Sequence, residues 1–340
     1  MEEQALLTAV VQNLKRLCRF RKKQGGTGSL ACAKTELGAG SPARLPILWR
    51  QMAGRMASKI RHEGSLCPIN SPAFEVGQQI VKDDRVNVIS FTGGVVASRN
   101  ICALAGMKKV LLELGGNAAT IVHEDADLKR AAALCAKTGY SNSGQSCISV
   151  QRIYVHESVV KPFTDLLKRE VEALKVGDPL LPDTDVGCMV DERAADRVMS
   201  WIDEAIASGA TLVCGGKRRG ATVEPTVLFN PPKRSKVVCE EVFGPVVSVI
   251  PYRTIDEAIA ETNDSAFGLQ AGLFTNRMDI VYQVAEALDV GGVVINGTSN
   301  FRLDHWPYGG VKNSGIGREG PRYAIEEMTE MKMIVWQFPQ

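Results

Sequence analysis

From about Glu75 onward, apolar runs of strand length alternate with segments whose apolar residues recur three and four apart, the pattern of an α/β chain. "DRVNVISFTGG" reads as a strand, Val86 to Phe91, that enters a glycine turn at Gly93 and Gly94 and continues into a helix through "NICALAG". A second strand follows in "KKVLLELGG", and a helix through "LKRAAALCAKTGY" has Asp125 and Asp127 as available caps. "SVVKPFTDLLKREVEALKVG" and "DERAADRVMSWIDEAIASGA" carry amphipathic helical spacing and are expected to stop at Gly177 and Gly209. Beyond them "EPTVLFN", "PVVSVIPY" and "GGVVIN" read as strands, with "TIDEAIAETN" and "DIVYQVAEALD" as the helices between; no internal repeat is visible.

The first 70 residues break this rhythm. "QALLTAVVQNLKRLCRF" can form an amphipathic helix through Leu6, Leu7, Val10, Val11, Leu14 and Leu17, and Leu48, Met52, Met56 and Ile60 suggest a second. Between them "RKKQGGTGSLACAKTELGAGSPARLP" is dense in turn-forming and small residues and reads as a connection. The basic cluster Lys15, Arg16, Arg19, Arg21, Lys22 and Lys23 reads as a solvated helix end.

Composition narrows the function classes. A length of 340 residues favours two domains, and 45% hydrophobic with 23% charged residues describes a globular protein able to bury a large core. Forty basic against 38 acidic residues leave a net charge of +2, which argues against nucleic-acid or membrane-surface partners. The opening residues lack the n-region and h-region of a secretory signal, and no apolar run approaches the roughly 18 residues of a membrane span. Nine scattered cysteines without a CxxC pair, and no clustered histidines, suit a reducing cytoplasm and argue against a metal site.

One cysteine stands apart. "YSNSGQSCISV" sets Cys147 among small polar residues, whose backbone can approach a substrate and whose N–H groups can face a developing oxyanion. Upstream, "LLELGGN" ends an apolar strand on a carboxylate, Glu113, which must be solvated, paired or raised in pKa. A thiolate and a carboxylate able to activate water are the two groups needed to form and then hydrolyse a thioester. Downstream lie "EEVFGPVV" and the glycine-dense "PYGGVKNSGIGREG".

Taken together, "FTGG", "ELGGN", "GQSC", "EEVFGPV" and "PYGGVKNSGIGREG", in this order over roughly Glu75 to Trp336, resemble the NAD(P)-dependent aldehyde dehydrogenase superfamily. The resemblance implies an α/β fold with a Rossmann-like cofactor domain, here incomplete, a catalytic α/β domain and a C-terminal oligomerisation strand. The expected division is 1–70 as a divergent N-terminal segment, 71–115 as the remnant of the dinucleotide-binding domain, 116–312 as the catalytic domain and 313–340 as the C-terminal return. It implies Cys147 as nucleophile and Glu113 as general base, with Gly93 and Gly94 beside the cofactor, Glu241 on the nicotinamide ribose and Phe243 against the nicotinamide. NAD or NADP would be the cofactor, a small-molecule aldehyde the substrate, and the chain would form a homo-oligomer without nucleic-acid or membrane partners. Asn117 and Gly144 belong to the motifs without a separate role, and His305 and Trp306 are placed either at a substrate entrance or in packing.

The sequence also departs from the pattern. No aromatic-Asn motif supplies an oxyanion asparagine, Asn70 in "CPINSP" lacking the aromatic; "KTELGAGSP" lacks the proline and spacing of the ribose-binding Lys-Pro-x-Glu; and Ala97 and Ser98 follow the glycine turn where a small apolar residue and glycine are usual. These departures leave two alternatives beside NAD(P)-dependent aldehyde oxidation: a catalytically impaired relative with a structural or subunit-associating role, and a cofactor-independent esterase acting through a Cys147 thioester.

Overall fold

The computed structural model describes residues 73–338, with side chains from Val76 onward. The chain divides into two compact units, one reaching Gln79 and one running from Ile80. In the first unit the structure describes only the start of helix α1, Ala73–Lys82. The helices expected before residue 70, and Asn70, lie outside the described residues.

The unit from Ile80 opens with a β-α-β hand. Strand β1 (Val88–Thr92) runs parallel to β2 (Lys109–Glu113), with Val88 opposite Lys109 and Thr92 opposite Glu113. Helix α2 (Val95–Ala105) joins them. It starts five residues earlier than "NICALAG" suggests, because Gly94 in extended conformation caps it directly and the turn needs no further residues. Lys108 ties this hand to the end of α1 by donating to the carbonyls of Val81 and Asp83.

The larger sheet has seven strands. In spatial order they are β12 (Gly292–Ile295), β11 (Gln270–Phe274), β3 (Ala118–Val122), β4 (Val150–His156), β9 (Val246–Tyr252), β8 (Thr226–Phe229) and β5 (Thr211–Cys214). All neighbours are parallel except the edge strand β5, which runs antiparallel to β8. A parallel sheet needs both faces covered, and the strand pattern provides two apolar faces. Val247 and Val249 face one cluster with Val150, Ile153 and Val155, beneath α3 (Leu128–Tyr140) and α4 (Val160–Glu172). Val246, Ile250 and Tyr252 face the other with Ile121 and Leu273, beneath α5 (Glu192–Ala207), α7 (Ile255–Asn263) and α8 (Met278–Ala287). The short helix α6 (Lys236–Cys239) and the hairpin β6 (Arg218–Arg219) with β7 (Thr222–Val223) lie between these elements in sequence.

Three helix starts follow the cap rule, with one correction to the expected residues. Asp127, Asp191 and Thr254 each accept a backbone N–H from three residues on. Asp125 caps nothing: its carboxylate is taken by the Thr275 hydroxyl and the Asn276 N–H after β11. Gly209 at φ +109 follows the end of α5 as expected, whereas α4 stops at Glu172, five residues before Gly177.

Two further pairs close the hand onto the sheet. β13 (Val311–Lys312) pairs with β10 (Phe267–Gly268), and β14 (Gly315–Ile316) pairs antiparallel with β2, Gly315 opposite Glu113. A last helix, α9, covers Pro321–Glu327. Residues 331–338 make no ladder within the described chain, and Met331, Ile334, Trp336 and Phe338 are largely exposed. Among the described residues no helix is long and apolar enough to cross a membrane.

Candidate active site

Glu113 is the last residue of β2, and the next segment, Leu114 to Asn117, leads straight into the N-terminal end of β3. The segments that enter β4 and β9 carry Cys147 and Glu241. The C-terminal edge of the small sheet therefore meets the N-terminal ends of β3, β4 and β9, and the motif residues converge there.

The approach to Cys147 is unusual backbone. Asn142, Ser143 and Gly144 have φ of 52°, 56° and 70°, three left-handed residues in succession. Such a run costs conformational energy at the two non-glycines and persists only where neighbours hold it. Ser143 donates to the Gly187 carbonyl at 3.0 Å, and Asn142 donates through its amide to the Gln145 carbonyl at 2.8 Å. Gly144 is required twice: its φ is left-handed, and a Cβ there would fall on the Gly244 carbonyl. Gly116 likewise leaves no room for a Cβ beside the Cys147 carbonyl.

The thiol itself packs with Ile148, Leu269 and Tyr308. Its Sγ lies 3.3 Å from the Tyr308 hydroxyl. Burial raises the pKa of the thiol; the Tyr308 hydrogen bond acts against this, while the negative charges of Glu241 and Glu113 add to it.

Glu113 is mostly withdrawn from water, and its Oε2 has no hydrogen-bond partner. Burial pushes its carboxyl up to about 8, Glu319 adds to the rise, and Arg302 and Arg318 oppose it. The side chain borders a cavity of about 310 Å³ that Arg302, Arg318 and Glu319 also line. A carboxyl poised near neutrality suits a general base.

The "EEVFGPVV" loop is clamped from below. The Gln151 side chain in β4 donates through its amide to the carbonyls of Val237 and Glu240, and its Oε1 accepts the Val242 N–H. Asn117 donates to the Val238 carbonyl at 2.6 Å. Arg152, 3% exposed, donates to the carbonyls of Asn117 and Glu261, so its charge is held by backbone dipoles. Glu241 then accepts the Gly116 N–H at 2.9 Å and lies where a Cβ on Gly115 would be. Phe243 has φ 45 and is 42% exposed, so its ring is offered outward by a strained backbone.

Gly93 and Gly94 sit at the N-terminus of α2, whose first turn contains no acidic residue and no side-chain cap. A β-strand, glycine turn and helix N-terminus in this order fit the phosphates of a dinucleotide. The residues present thus fit the phosphates of NAD(P).

Several contributors carry no clear sequence signal. Tyr308 stands inside the quoted glycine loop, yet only the fold brings its hydroxyl to Cys147. Ser314, fully buried, accepts the Gly268 N–H and donates to the Gly115 carbonyl, pinning that loop to the "ELGGN" turn. Trp306 is 42% exposed and meets Phe301 and His305 edge to face. Among the described cysteines Cys135 is buried and Cys102 and Cys188 are exposed; Cys18, Cys32 and Cys67 lie outside the described residues. No group of metal-ligating residues is found among the described residues.

Comparison with known proteins bears on this arrangement. The model of the aldehyde dehydrogenase family matches residues 61–334. A 3-sulfolactaldehyde dehydrogenase of Priestia aryabhattai is 46% identical over 290 residues, 85% of this chain and 61% of that protein. A sulfoacetaldehyde dehydrogenase of Neptuniibacter caesariensis is 43% identical, over 78% of this chain and 58% of that protein. Among solved structures, a glyceraldehyde-3-phosphate dehydrogenase of Methanocaldococcus jannaschii complexed with NADP superposes with a TM-score of 0.74 at 41% identity, covering 76% of this chain and 56% of that one. The chain spans about three fifths of the length of the curated relatives it matches.

Proposed function

Because the chain belongs to the aldehyde dehydrogenase family, we propose that it oxidises a small aldehyde to the carboxylic acid through Cys147, with NAD or NADP as cofactor. The observation that carries this reading is that the Gly115–Gly116 turn, which follows Glu113, lies against both the Cys147 carbonyl and the Glu241 carboxylate, so the thiol segment and the two carboxylates meet at one place. The cofactor, when bound, accepts the hydride that leaves the carbonyl carbon. Gly93 and Gly94 at the start of α2 would lie beside its phosphates, Glu241 would hold its nicotinamide ribose, and Phe243 would lie against its nicotinamide. The chain's own groups do the rest. Cys147 Sγ, as thiolate, adds to the carbonyl carbon while the C=O π pair moves to oxygen; when that pair re-forms the carbonyl and hydride departs from the carbon, a thioester remains on sulfur. Glu113 takes a proton from water as that water attacks the thioester carbon, and the carboxylic acid leaves with the thiol restored. Such chemistry needs a reduced thiol, which a cytoplasmic setting supplies.

Named relatives act on sulfolactaldehyde and sulfoacetaldehyde, and another is named for glyceraldehyde 3-phosphate. An anionic short aldehyde is accordingly the substrate class proposed, with Arg302, whose guanidinium lies 4.1 Å from the Tyr308 ring centroid, as its cation. Replacing Cys147 by Ala is expected to abolish aldehyde-dependent NAD(P)H formation; unchanged turnover in that variant sinks the reading.

The domain roles belong to the same proposal: 71–115 contributes to the cofactor domain, 116–312 forms the catalytic domain, and 313–340 returns and pairs with a second copy. The exposed apolar side chains of residues 331–338 favour that pairing. They equally favour a second reading, in which the chain associates with subunits without turning over; saturable NAD(P) binding, followed by tryptophan quenching, argues against it.

A further inference from the structure

We propose that Tyr308 is the hydrogen-bond donor that stabilises the Cys147 thiolate, a thiol-activating hydroxyl carried in the glycine loop. It rests on the reading of Cys147 as the nucleophile, and its test reads the thiol directly.

The geometry is specific. The phenol oxygen lies 3.3 Å from Sγ, and the thiol is the partner the structure gives it. The ring cannot swing away. Tyr308 and Glu319 exchange both backbone hydrogen bonds, at 3.2 and 2.6 Å. Arg302 stacks on one face of the ring, and Ile148 and Leu269 pack around it. The residue is only 5% exposed, so water does not compete freely for the hydroxyl.

Chemistry fixes the direction of the bond. A neutral thiol and a phenol can donate either way, but a thiolate only accepts. Burial raises the pKa of the phenol first of all, and the neighbouring Cys147 and Glu113 add to this, so it keeps its proton when sulfur ionises. The hydroxyl is then the donor, and a hydrogen bond to an ionised acceptor is stronger than one between neutral groups.

The other charged groups around the thiol make this bond matter. Glu113 at the end of β2 and Glu241 before β9 both oppose ionisation of sulfur. Arg302 and Arg318 act on Glu113, with Arg302 also paired to Glu319 at 3.1 Å and Arg318 donating to the carbonyls of Gly310 and Gly317. Two hydrogen bonds favour the anion, one from the Tyr308 side chain and a weaker one from the Cys147 backbone, and Tyr308 is the side chain that does so.

The test is alkylation of the full chain by iodoacetamide from about pH 6 to about pH 11.5, read by mass spectrometry. Trypsin cuts after Lys137 and Arg152, so the peptide from Thr138 to Arg152 contains Cys147 as its one cysteine. Tyr308→Phe keeps the ring and removes the donor. It is expected to move the Cys147 alkylation midpoint up by about one pH unit and slow alkylation at neutral pH about tenfold. Coincident profiles for the variant and the parent overturn the proposal. Should the variant fail to fold, the parent chain grown with 3-fluorotyrosine gives the same answer with the opposite sign. Its more acidic phenols donate better, so the midpoint falls; an unchanged or raised midpoint overturns the proposal. A shifted midpoint in a chain without aldehyde turnover leaves this inference standing and removes the dehydrogenase reading. Turnover with an unshifted midpoint does the reverse.

Discussion

The carboxylate of Glu241 accepts the backbone N–H of Gly116 at 2.9 Å, joining two segments 125 positions apart in sequence. This bond fixes the "EEVFGPVV" loop against the turn that carries the chain from Glu113 into β3, so the proposed base and the proposed ribose-binding carboxylate are held as one piece. Glu241→Ala removes both the bond and the proposed ribose contact. The expected result is an apparent affinity for NAD(P) about tenfold weaker, with a loss of stability on the order of 1 kcal/mol, measured by tryptophan quenching and by denaturant titration. Unaltered cofactor affinity would place the ribose elsewhere.

The raised carboxyl of Glu113 has consequences for rate and for stability. As a base it must be ionised, so thioester hydrolysis is expected to rise with pH and reach half its maximum near the value of about 8 set by burial. In the unfolded chain the same group ionises at its ordinary 4.5. Between these values the unfolded state holds fewer protons than the folded one, so stability falls as pH rises. The contribution is complete below about 4.5 and is lost as pH climbs through about 8. Glu113→Gln, which cannot ionise, is expected to gain about 2 kcal/mol on the parent at pH 8 relative to pH 5, less than the roughly 3.5 kcal/mol that the full shift would give over this range because the carboxyl keeps some contact with water, with thioester hydrolysis slowed at both. Parallel stability curves would show that the carboxylate is better solvated than its surroundings imply.

Gly144 tests the left-handed approach to the thiol. Gly144→Ala places a Cβ on the Gly244 carbonyl and forces alanine to a φ of 70°. The combined clash and strain are expected to cost about 2–3 kcal/mol and to separate the "GQSC" loop from the "EEVFGPVV" loop. The sign to look for is a lowered thermal midpoint together with faster alkylation of Cys147 by a neutral reagent. A midpoint equal to that of the parent would mean that the loop tolerates another path.

The sequence carried the α/β alternation well because the two periodicities are local: Val246, Val247, Val249 and Ile250 already announce a strand buried on both faces. It carried the motif residues because glycine, cysteine and carboxylate sit in short, fixed neighbourhoods. Asp125 was less legible, since two aspartates precede α3 and only tertiary contact with Thr275 decides which one caps. The early start of α2 escaped for a related reason: a glycine cap leaves no side chain to mark it. Tyr308 escaped altogether, because an aromatic in a glycine loop reads as packing until the loop is folded over a thiol 161 positions away. The proposed pairing of residues 331–338 involves a second chain, and no pattern within one chain displays it.

The central claim is that Cys147 carries the acyl group and Glu113 removes it. The most direct measurement mixes Glu113→Gln with sulfoacetaldehyde or sulfolactaldehyde and NAD or NADP, then weighs the tryptic peptide from Thr138 to Arg152. The account predicts one equivalent of reduced cofactor in a burst, and an acyl mass on that peptide which persists in the variant and is transient in the parent. Continued turnover by the variant with no acyl mass on Cys147 would contradict it.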